Sequence, residues 1–185
     1  MQTSTNFDGQ EPAGQKQVKC QHNDNGGRVA GILKLKPNQV IEHPDGGLVF
    51  GVIPAIDRLG AAEALIYLKA GMHRVTPGKP PAGYGVKHIW EGKKKELRGR
   101  GCTKADDVPR FVSELIVLGT EIYHDETHPR ANMKRITLLR TQDGTLLLEP
   151  KEGDRHLGFH YSVVTWTPQS QAKGIQVGTI DKNRA

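Results

Sequence analysis

Four short apolar segments separated by turn residues fill the last third of the chain and limit its fold more than any other feature. They span residues 121–127, 134–141, 145–149 and 159–167. Such segments are typical of β-strands, and consecutive ones tend to pair as an antiparallel meander. Asp143-Gly144, between the second and third segments, predicts a two-residue hairpin turn, because that turn needs positive φ at both central positions. This turn would pair Thr141 with Leu146.

Alternation along the final strand predicts which of its side chains share a face. In a regular strand, successive side chains point to opposite sides of the sheet. Phe159, Tyr161, Val163 and Thr165 would therefore lie on one face. His160, Ser162, Val164 and Trp166 would lie on the other.

The middle of the chain predicts helices, and the region before it predicts strands. Residues 84–97 and the segment from Pro109 to Gly119 carry apolar residues at helical spacing. Residues 29–35 and 47–53 are apolar runs that indicate strands, 55–59 favour a short helix, and 61–70 fit either state. The expected fold is α+β, with N-terminal strands and short helices packed on a four-stranded antiparallel sheet.

Composition and length set the domain organisation. Residues 1–27 are polar and predict a flexible tail, 28–170 a single domain, and 171–185 a second tail. No apolar run is long enough for a membrane span and no secretory signal is evident, so we expect no membrane partner. The expected location is the cytoplasm, or a target cell into which the protein is delivered. We expect Cys20 and Cys102 to be free thiols, and a single bridge between them is the alternative.

Positive charge is concentrated in one segment of the chain. The formal net charge is +6, and residues 87–104 hold seven lysines and arginines but only two acids. Such a stripe attracts polyanions, of which nucleic acid is the most common, although a solvated lysine face is the alternative. The candidate RNA-binding residues in the stripe are Lys93, Lys94, Lys95, Arg98 and Arg100.

Known cofactor and metal motifs do not occur in the sequence. There is no phosphate-binding P-loop, no complete dinucleotide fingerprint and no nucleophile elbow, so we expect no cofactor. His124 and His128 alternate onto one face of a strand, where they would form a surface metal site with Glu126. The alternative, which we favour, is that they are exposed polar loop residues, and we therefore predict no metal.

Lys87 and His88 lie together near the start of the first helix, beside the basic stripe. An imidazole ionises near neutral pH and therefore serves as a general acid or base. A neighbouring lysine can stabilise the negative charge of a phosphoryl transition state.

The order of several short motifs resembles the phage-associated branch of the barnase–EndoU–colicin–RelE-like nuclease superfamily, over about residues 45–168. The motifs are Gly47-Leu-Val-Phe-Gly-Val-Ile53, Ala55-Ile-Asp-Arg-Leu-Gly60, Leu65-Ile-Tyr-Leu68, Tyr84-Gly-Val-Lys-His-Ile89, Val108-Pro-Arg-Phe-Val112 and Tyr161-Ser-Val-Val-Thr165. The resemblance implies helices on a four-stranded antiparallel sheet and a metal-independent ribonuclease that is a toxin or phage effector. An acidic inhibitor protein would then be its partner.

Matched by position, the family's helical Lys-His pair falls on Lys87 and His88. The closing strand falls on residues 163–165, and the basic residue of a middle strand falls on Arg135 or Arg140. Many relatives carry a second histidine about one turn after the first, where this chain has residues 92–94.

The implied reaction is RNA transesterification, in which the ribose 2′-OH attacks its own 3′-phosphate. His88 would transfer protons, Lys87 and Arg140 would neutralise the phosphate, and Tyr161 and Thr165 would hydrogen-bond a phosphoryl oxygen or orient His88. The alternative is a non-catalytic basic module that binds nucleic acid or a phage structural protein. Transfer of ADP-ribose from NAD is a third reading, but its residues are not evident in the sequence.

Overall fold

The computed structural model describes residues 31–129, 131–152 and 156–182. Seven strands form one mixed sheet in the order β1-β2-β8-β7-β6-β5-β9, and β3 pairs with β4 in a separate hairpin. The strands are β1 (Val49–Ile53), β2 (Ala64–Tyr67), β3 (Met72–Arg74), β4 (Ala82–Tyr84), β5 (Glu121–His124), β6 (Ile136–Arg140), β7 (Gly144–Lys151), β8 (His160–Thr167) and β9 (Ile175–Thr179). The two α-helices are α1 (Gly85–Gly99) and α2 (Val108–Leu115).

The expected four-stranded antiparallel sheet is wrong, because further strands join the meander at both edges. The predicted strands do occur as β5 to β8, and they pair in antiparallel order. At one edge β2 pairs with β8 in parallel and β1 pairs with β2. At the other edge β9 pairs with β5. A parallel pairing joins segments far apart in sequence, so local patterns did not reveal it.

The structure covers most of the predicted C-terminal tail and none of the predicted N-terminal tail. The sheet extends into residues 171–185, where β9 forms its edge. The predicted tail 1–27 lies outside the described residues, as do Val29 and Ala30 of the first predicted strand. The rest of that predicted strand is a short 3-10 helix, Ile32–Lys34, because Lys34 N–H bonds back to the Gly31 carbonyl at 2.8 Å. The expected strand there is wrong.

The core lies between the helices and the sheet. Phe111 of α2 packs edge-on against Trp166 of β8, with ring centroids 4.9 Å apart, and both side chains are fully buried. Ile89 and Leu97 of α1 are buried in the same cluster. Each such side chain stabilises the fold by roughly 1.5–3 kcal/mol relative to exposure. The apolar faces predicted for α1 and α2 are therefore confirmed.

A bulge in β8 changes which side chains share a face. Leu147 pairs with Thr165 but Leu148 pairs with Val163, so Val164 is an extra residue on β8. An extra residue reverses the alternation beyond it. Trp166 therefore faces the core as Tyr161 does, while Thr165 does not. The predicted shared face of Tyr161 and Thr165 is wrong.

The β6–β7 turn is one residue longer than predicted. Arg140 pairs with Gly144 and Leu138 pairs with Leu146, which leaves residues 141–143 in the loop. Asp143 is buried, and its carboxylate lies 3.1 Å from Arg100 Nη1 and 3.3 Å from Arg140 Nε. These ion pairs hold Asp143 inside the loop, so it is not the first residue of a two-residue turn.

Cys102 is buried and disulfide-bonded, so the expected free thiol at this position is wrong. Cys20 lies outside the described residues.

Within the described part of the chain, neither helix is long and apolar enough to cross a bilayer.

Candidate functional site

A cavity of about 910 Å³ lies where the β3–β4 hairpin and the start of α1 meet the sheet. We call it the histidine cavity. Its polar lining side chains come from β4, β7, β8, α1 and the adjoining loops, and they are Asn38, Lys69, Tyr84, His88, His128, Arg135, Glu149, Lys151, Ser162 and Thr165. Lys69, Arg135 and Lys151 outnumber the single carboxylate of Glu149, so the cavity attracts anions.

The first turn of α1 is anchored to the end of β2, which fixes the cavity wall. Val86 N–H donates to the Lys69 carbonyl and Lys87 N–H donates to the Ala70 carbonyl, each at 3.0 Å. Gly85 has a φ of 73°, and a Cβ there would lie 2.3 Å from the Lys69 carbonyl oxygen. Only glycine fits this approach. The anchor brings Lys69 and His88 to the same cavity.

His88 is paired with a histidine that the sequence analysis did not single out. Nδ1 of His88 lies 3.1 Å from Nδ1 of His73 on β3, with the rings tilted by 33°. Two neutral imidazoles make this bond only when one Nδ1 carries a proton and the other accepts it. With Nδ1 of His88 occupied, Nε2 is the ring nitrogen left for a ligand.

Burial lowers the pKa of His88 below its usual 6.5, and the nearby charges of His73 and Lys93 lower it further. Removal from water disfavours the charged imidazolium, and so does each neighbouring positive group. His88 is therefore neutral at pH 7. A neutral imidazole with one free nitrogen is ready to accept a proton.

Two glycines lie beside the histidine pair, and only the first must be glycine to leave room for it. A Cβ on Gly83 would lie 2.8 Å from Nδ1 of His88 and 2.1 Å from the Met72 carbonyl oxygen. A Cβ on Gly92, one helical turn after His88, would lie 3.9 Å from Cε1 of His73. The His73 ring therefore lies beside Gly92, one helical turn after His88.

The wall formed by the sheet carries a row of polar side chains across three strands. Arg135, just before β6, reaches Glu149 of β7 with Nε and Oε1 3.5 Å apart. Lys151 Nζ lies 3.2 Å from Oε2 of the same carboxylate. Glu149 pairs in register with Ser162 of β8. Glu149 thus orients two cations that could receive a phosphate.

Ser162 contributes a buried hydroxyl to this row. Its Oγ has no hydrogen-bond partner among the described residues, although the residue is only 1% exposed. A buried polar group without a partner costs stability, so such groups in a cavity point to a ligand or water that satisfies them. Ser162 is therefore a further candidate binding residue.

The structure brings three predicted site residues to the histidine cavity, namely His88, Thr165 and Arg135. The other predicted catalytic residues point elsewhere. Lys87 Nζ donates to the Leu35 carbonyl at 2.6 Å. Arg140 Nη1 donates to the Glu114 carbonyl, and Tyr161 OH donates to the Lys134 carbonyl at 3.2 Å. Burial raises the pKa of Tyr161 to about 12, so the phenol stays neutral.

The residues of the basic stripe have different surroundings. Lys94 Nζ lies 3.2 Å from Glu91 and 5.4 Å from the centre of the Trp90 ring. Arg100 is committed to Asp143 and to the Gln142 carbonyl. Lys93 acts on the charge state of His88, whereas Lys95 and Arg98 are exposed. Arg135 is the member of the predicted RNA-binding set that lines the cavity.

His124 and His128 have different surroundings. His124 is buried, and its Nδ1 lies 2.8 Å from the Arg135 carbonyl oxygen. His128 lines the cavity, with Nε2 3.2 Å from Nη1 of Arg135. No group of three His, Cys, Asp or Glu side chains suited to a metal occurs in residues 31–129, 131–152 and 156–182.

Several residues of the site were missed in the sequence analysis, namely Lys69, His73, Glu149, Lys151 and Ser162. Only Glu149 and Ser162 carried a usable signal, since they are polar positions in predicted strands on the face away from the core. Lys69 lines the cavity beside the helix anchor, whereas His73 does not line it and contacts His88 from β3. The chain matches no protein-family model, no curated protein and no solved structure. Its function is therefore inferred from the cavity residues themselves.

Proposed function

We propose that this protein is a metal-independent endoribonuclease that cleaves RNA by transesterification to a 2′,3′-cyclic phosphate. The observation that carries the proposal is the His73–His88 pair at the wall of a cavity that also holds Lys69, Arg135 and Lys151. The ribose 2′-OH is the nucleophile, so the protein needs to supply proton transfer and charge stabilisation, which these side chains provide.

His88 acts as the general base. In the tautomer that donates from its Nδ1 to His73, Nε2 of His88 accepts the proton of the 2′-OH. The imidazolium that forms keeps its Nδ1–H bond to His73, which holds the ring in place as the third member of a catalytic triad does. General acid–base catalysis of this kind contributes about 10²–10⁴-fold to a rate.

The positively charged side chains of the histidine cavity bind the phosphate. The 2′-oxygen forms a bond to phosphorus, the bond from phosphorus to the 5′-oxygen breaks, and the leaving oxygen takes a proton. The leaving 5′-oxygen takes this proton from solvent, because Nε2 of His128 accepts a hydrogen bond from Arg135 Nη1 and therefore carries no proton to donate. Arg135 and Lys151, oriented by Glu149, neutralise the charge that builds on the phosphoryl oxygens. No water is consumed in this step.

RNA is the proposed partner, and the toxin or phage-effector role is part of the same proposal. A protein inhibitor of such an enzyme would present acidic side chains to Lys69, Arg135 and Lys151, because opposite charges favour rapid association. The basic residues of α1 that are exposed, such as Lys95 and Arg98, would contact the RNA backbone outside the cavity.

The test is incubation of the purified protein with total RNA in the presence of a chelator, followed by analysis of the fragment ends. The proposal expects 2′,3′-cyclic phosphate and 5′-OH ends. Salt-sensitive binding of RNA without any cleavage would contradict it and support the non-catalytic nucleic-acid-binding alternative.

A further inference from the structure

A second cavity adjoins the histidine cavity on the open face of the sheet. It has a volume of about 280 Å³ and is lined by β6, β7, β8, the segment between β5 and β6 and the loop before β9. We call it the threonine cavity after four of its lining residues, Thr137, Thr145, Thr165 and Thr167. We propose that it binds one base of the RNA and prefers bases that carry an exocyclic amino group. This inference rests on the proposed function.

The two cavities share part of their lining. His128, Arg135 and Thr165 line both of them. Arg135 therefore lies at the junction, where one guanidinium can hold a phosphate whose two neighbouring sugars extend to either side. Lys173 adds a second positive charge to the threonine cavity. A polyanion that crosses this junction would place a nucleotide in each cavity.

The floor of the threonine cavity suits the flat face of a base. The strand register sets Thr137, Leu147 and Thr165 side by side across β6, β7 and β8. The apolar Leu147 lies between two hydroxyl-bearing side chains, and the β8 bulge is what brings Thr165 to this face. Threonine hydroxyls both donate and accept hydrogen bonds, so they can bond to the edge of a base that lies on Leu147.

Asp125 gives the cavity its selectivity. Its Oδ1 accepts from Thr127 N–H at 3.0 Å and from Thr127 Oγ1 at 2.6 Å, which fixes the carboxylate. The hydrogen bond from Thr127 is the main cause that holds the pKa of Asp125 below its usual value, so the group is ionised at neutral pH. An ionised carboxylate only accepts hydrogen bonds. It favours the amino groups of adenine, cytosine and guanine and repels the O4 carbonyl of uracil.

The test uses dinucleoside phosphates that carry 2′-O-methyl groups, which cannot be cleaved and therefore report binding alone. We expect CpC and ApA to bind about tenfold more tightly than UpU, the scale of one hydrogen bond to a charged group. Asp125→Asn should remove or invert that preference, because its amide can donate to uracil O4. Thr137→Val should weaken binding of CpC and ApA several-fold through loss of the hydroxyl.

Glu126→Gln is the matched control. It removes a carboxylate one residue away, but Glu126 is exposed and pairs with Arg58 at 3.2 Å instead of lining the cavity. The control should keep the preference of the parent protein. Equal binding of all dinucleotides, or a preference that survives in Asp125→Asn, would overturn the proposed base subsite. Neither result would contradict the proposal that the protein cleaves RNA. Failure of every dinucleotide to bind would overturn both proposals.

Discussion

Nδ1 of His73 lies 3.1 Å from Nδ1 of His88, although the two residues come from different elements, β3 and α1. Because both contacting atoms are Nδ1, one ring donates its Nδ1 proton and the other ring accepts it. The arrangement leaves Nε2 of His88 for the histidine cavity and gives His73 the role of a positioning residue.

Replacing His73 should therefore change how His88 titrates. In His73→Ala, the Coulombic repulsion from His73 is lost and more water reaches the remaining ring. Both changes raise the pKa of His88, so the acidic limb of the pH–activity profile should move to higher pH. An NMR titration of the His88 ring checks this directly. Arg74→Ala, the next and exposed position on β3, should leave the titration unchanged.

The lowered pKa of His88 also makes stability depend on pH. An unfolded histidine titrates near 6.5, whereas His88 in the folded protein titrates lower. Between these values the unfolded chain binds more protons, so the free energy of unfolding falls as the pH drops through 6.5. Urea denaturation of the parent and of His88→Gln at pH 5 and pH 7.5 measures the effect. The parent should lose more stability at pH 5 than the variant does; an equal loss contradicts the assigned shift.

Gly83 and Gly92 should respond oppositely to alanine. In Gly83→Ala the new Cβ would meet the Met72 carbonyl and His88, so we expect a loss of about 1–3 kcal/mol in unfolding free energy and a loss of activity. In Gly92→Ala the Cβ reaches ordinary contact distance from His73, and alanine favours the helix by up to about 1 kcal/mol. Thermal denaturation of both variants compares them. A destabilised Gly92→Ala would show that the pair is packed differently.

The two arginines that the sequence analysis left as alternatives should separate into a functional and a structural residue. Arg135→Ala removes a cation from the cavity and should lower kcat/KM by roughly 10²-fold. Arg140→Ala removes the bonds to the Glu114 carbonyl and to Asp143, so it should cost about 2 kcal/mol of stability with kcat/KM preserved. Steady-state kinetics and urea denaturation of both variants distinguish the functional role from the structural one. The reverse pattern would reassign the phosphate site.

Tyr161→Phe tests whether this tyrosine takes part in chemistry. Its hydroxyl donates to the Lys134 carbonyl and the side chain is fully buried. Losing that bond should cost about 1 kcal/mol of unfolding free energy, and the cleavage rate should stay within twofold of the parent. A large drop in the cleavage rate with unchanged stability would show that Tyr161 takes part in the reaction.

The sequence predicted local elements well and long-range pairings poorly. The helical spacing of Ile89 and Phe111 and the four strands of the meander were sufficient to locate α1, α2 and β5 to β8. The parallel pairing of β2 with β8, and that of β9 with β5, bring together segments that no local period connects. The bulge at Val164 depends on how β7 and β8 pack, so simple alternation assigned Thr165 to the wrong face.

In the candidate site, too, local features could be predicted from the sequence and long-range contacts could not. His88 was accessible to sequence reasoning because the imidazole lies beside a basic stripe at a helix start. Its partner His73 was not accessible to sequence reasoning. The two rings meet only because β3 pairs with β4 and because Gly85 allows the start of α1 to approach the Lys69 carbonyl. Arg140 and Arg135 are equivalent as basic residues at the two ends of one strand. The structure distinguishes them, because Asp143 and the Glu114 carbonyl hold Arg140 at the turn.

The most direct test is the single-turnover cleavage rate of a defined RNA oligonucleotide in the presence of chelator, measured for the parent, His88→Ala and Lys87→Ala. Lys87 is the neighbouring residue, but its Nζ bonds to the Leu35 carbonyl outside the cavity. We expect His88→Ala to lose at least 10²-fold in rate and Lys87→Ala to retain the parental rate. A folded His88→Ala variant that cleaves as fast as the parent would contradict the assignment of His88 as the general base.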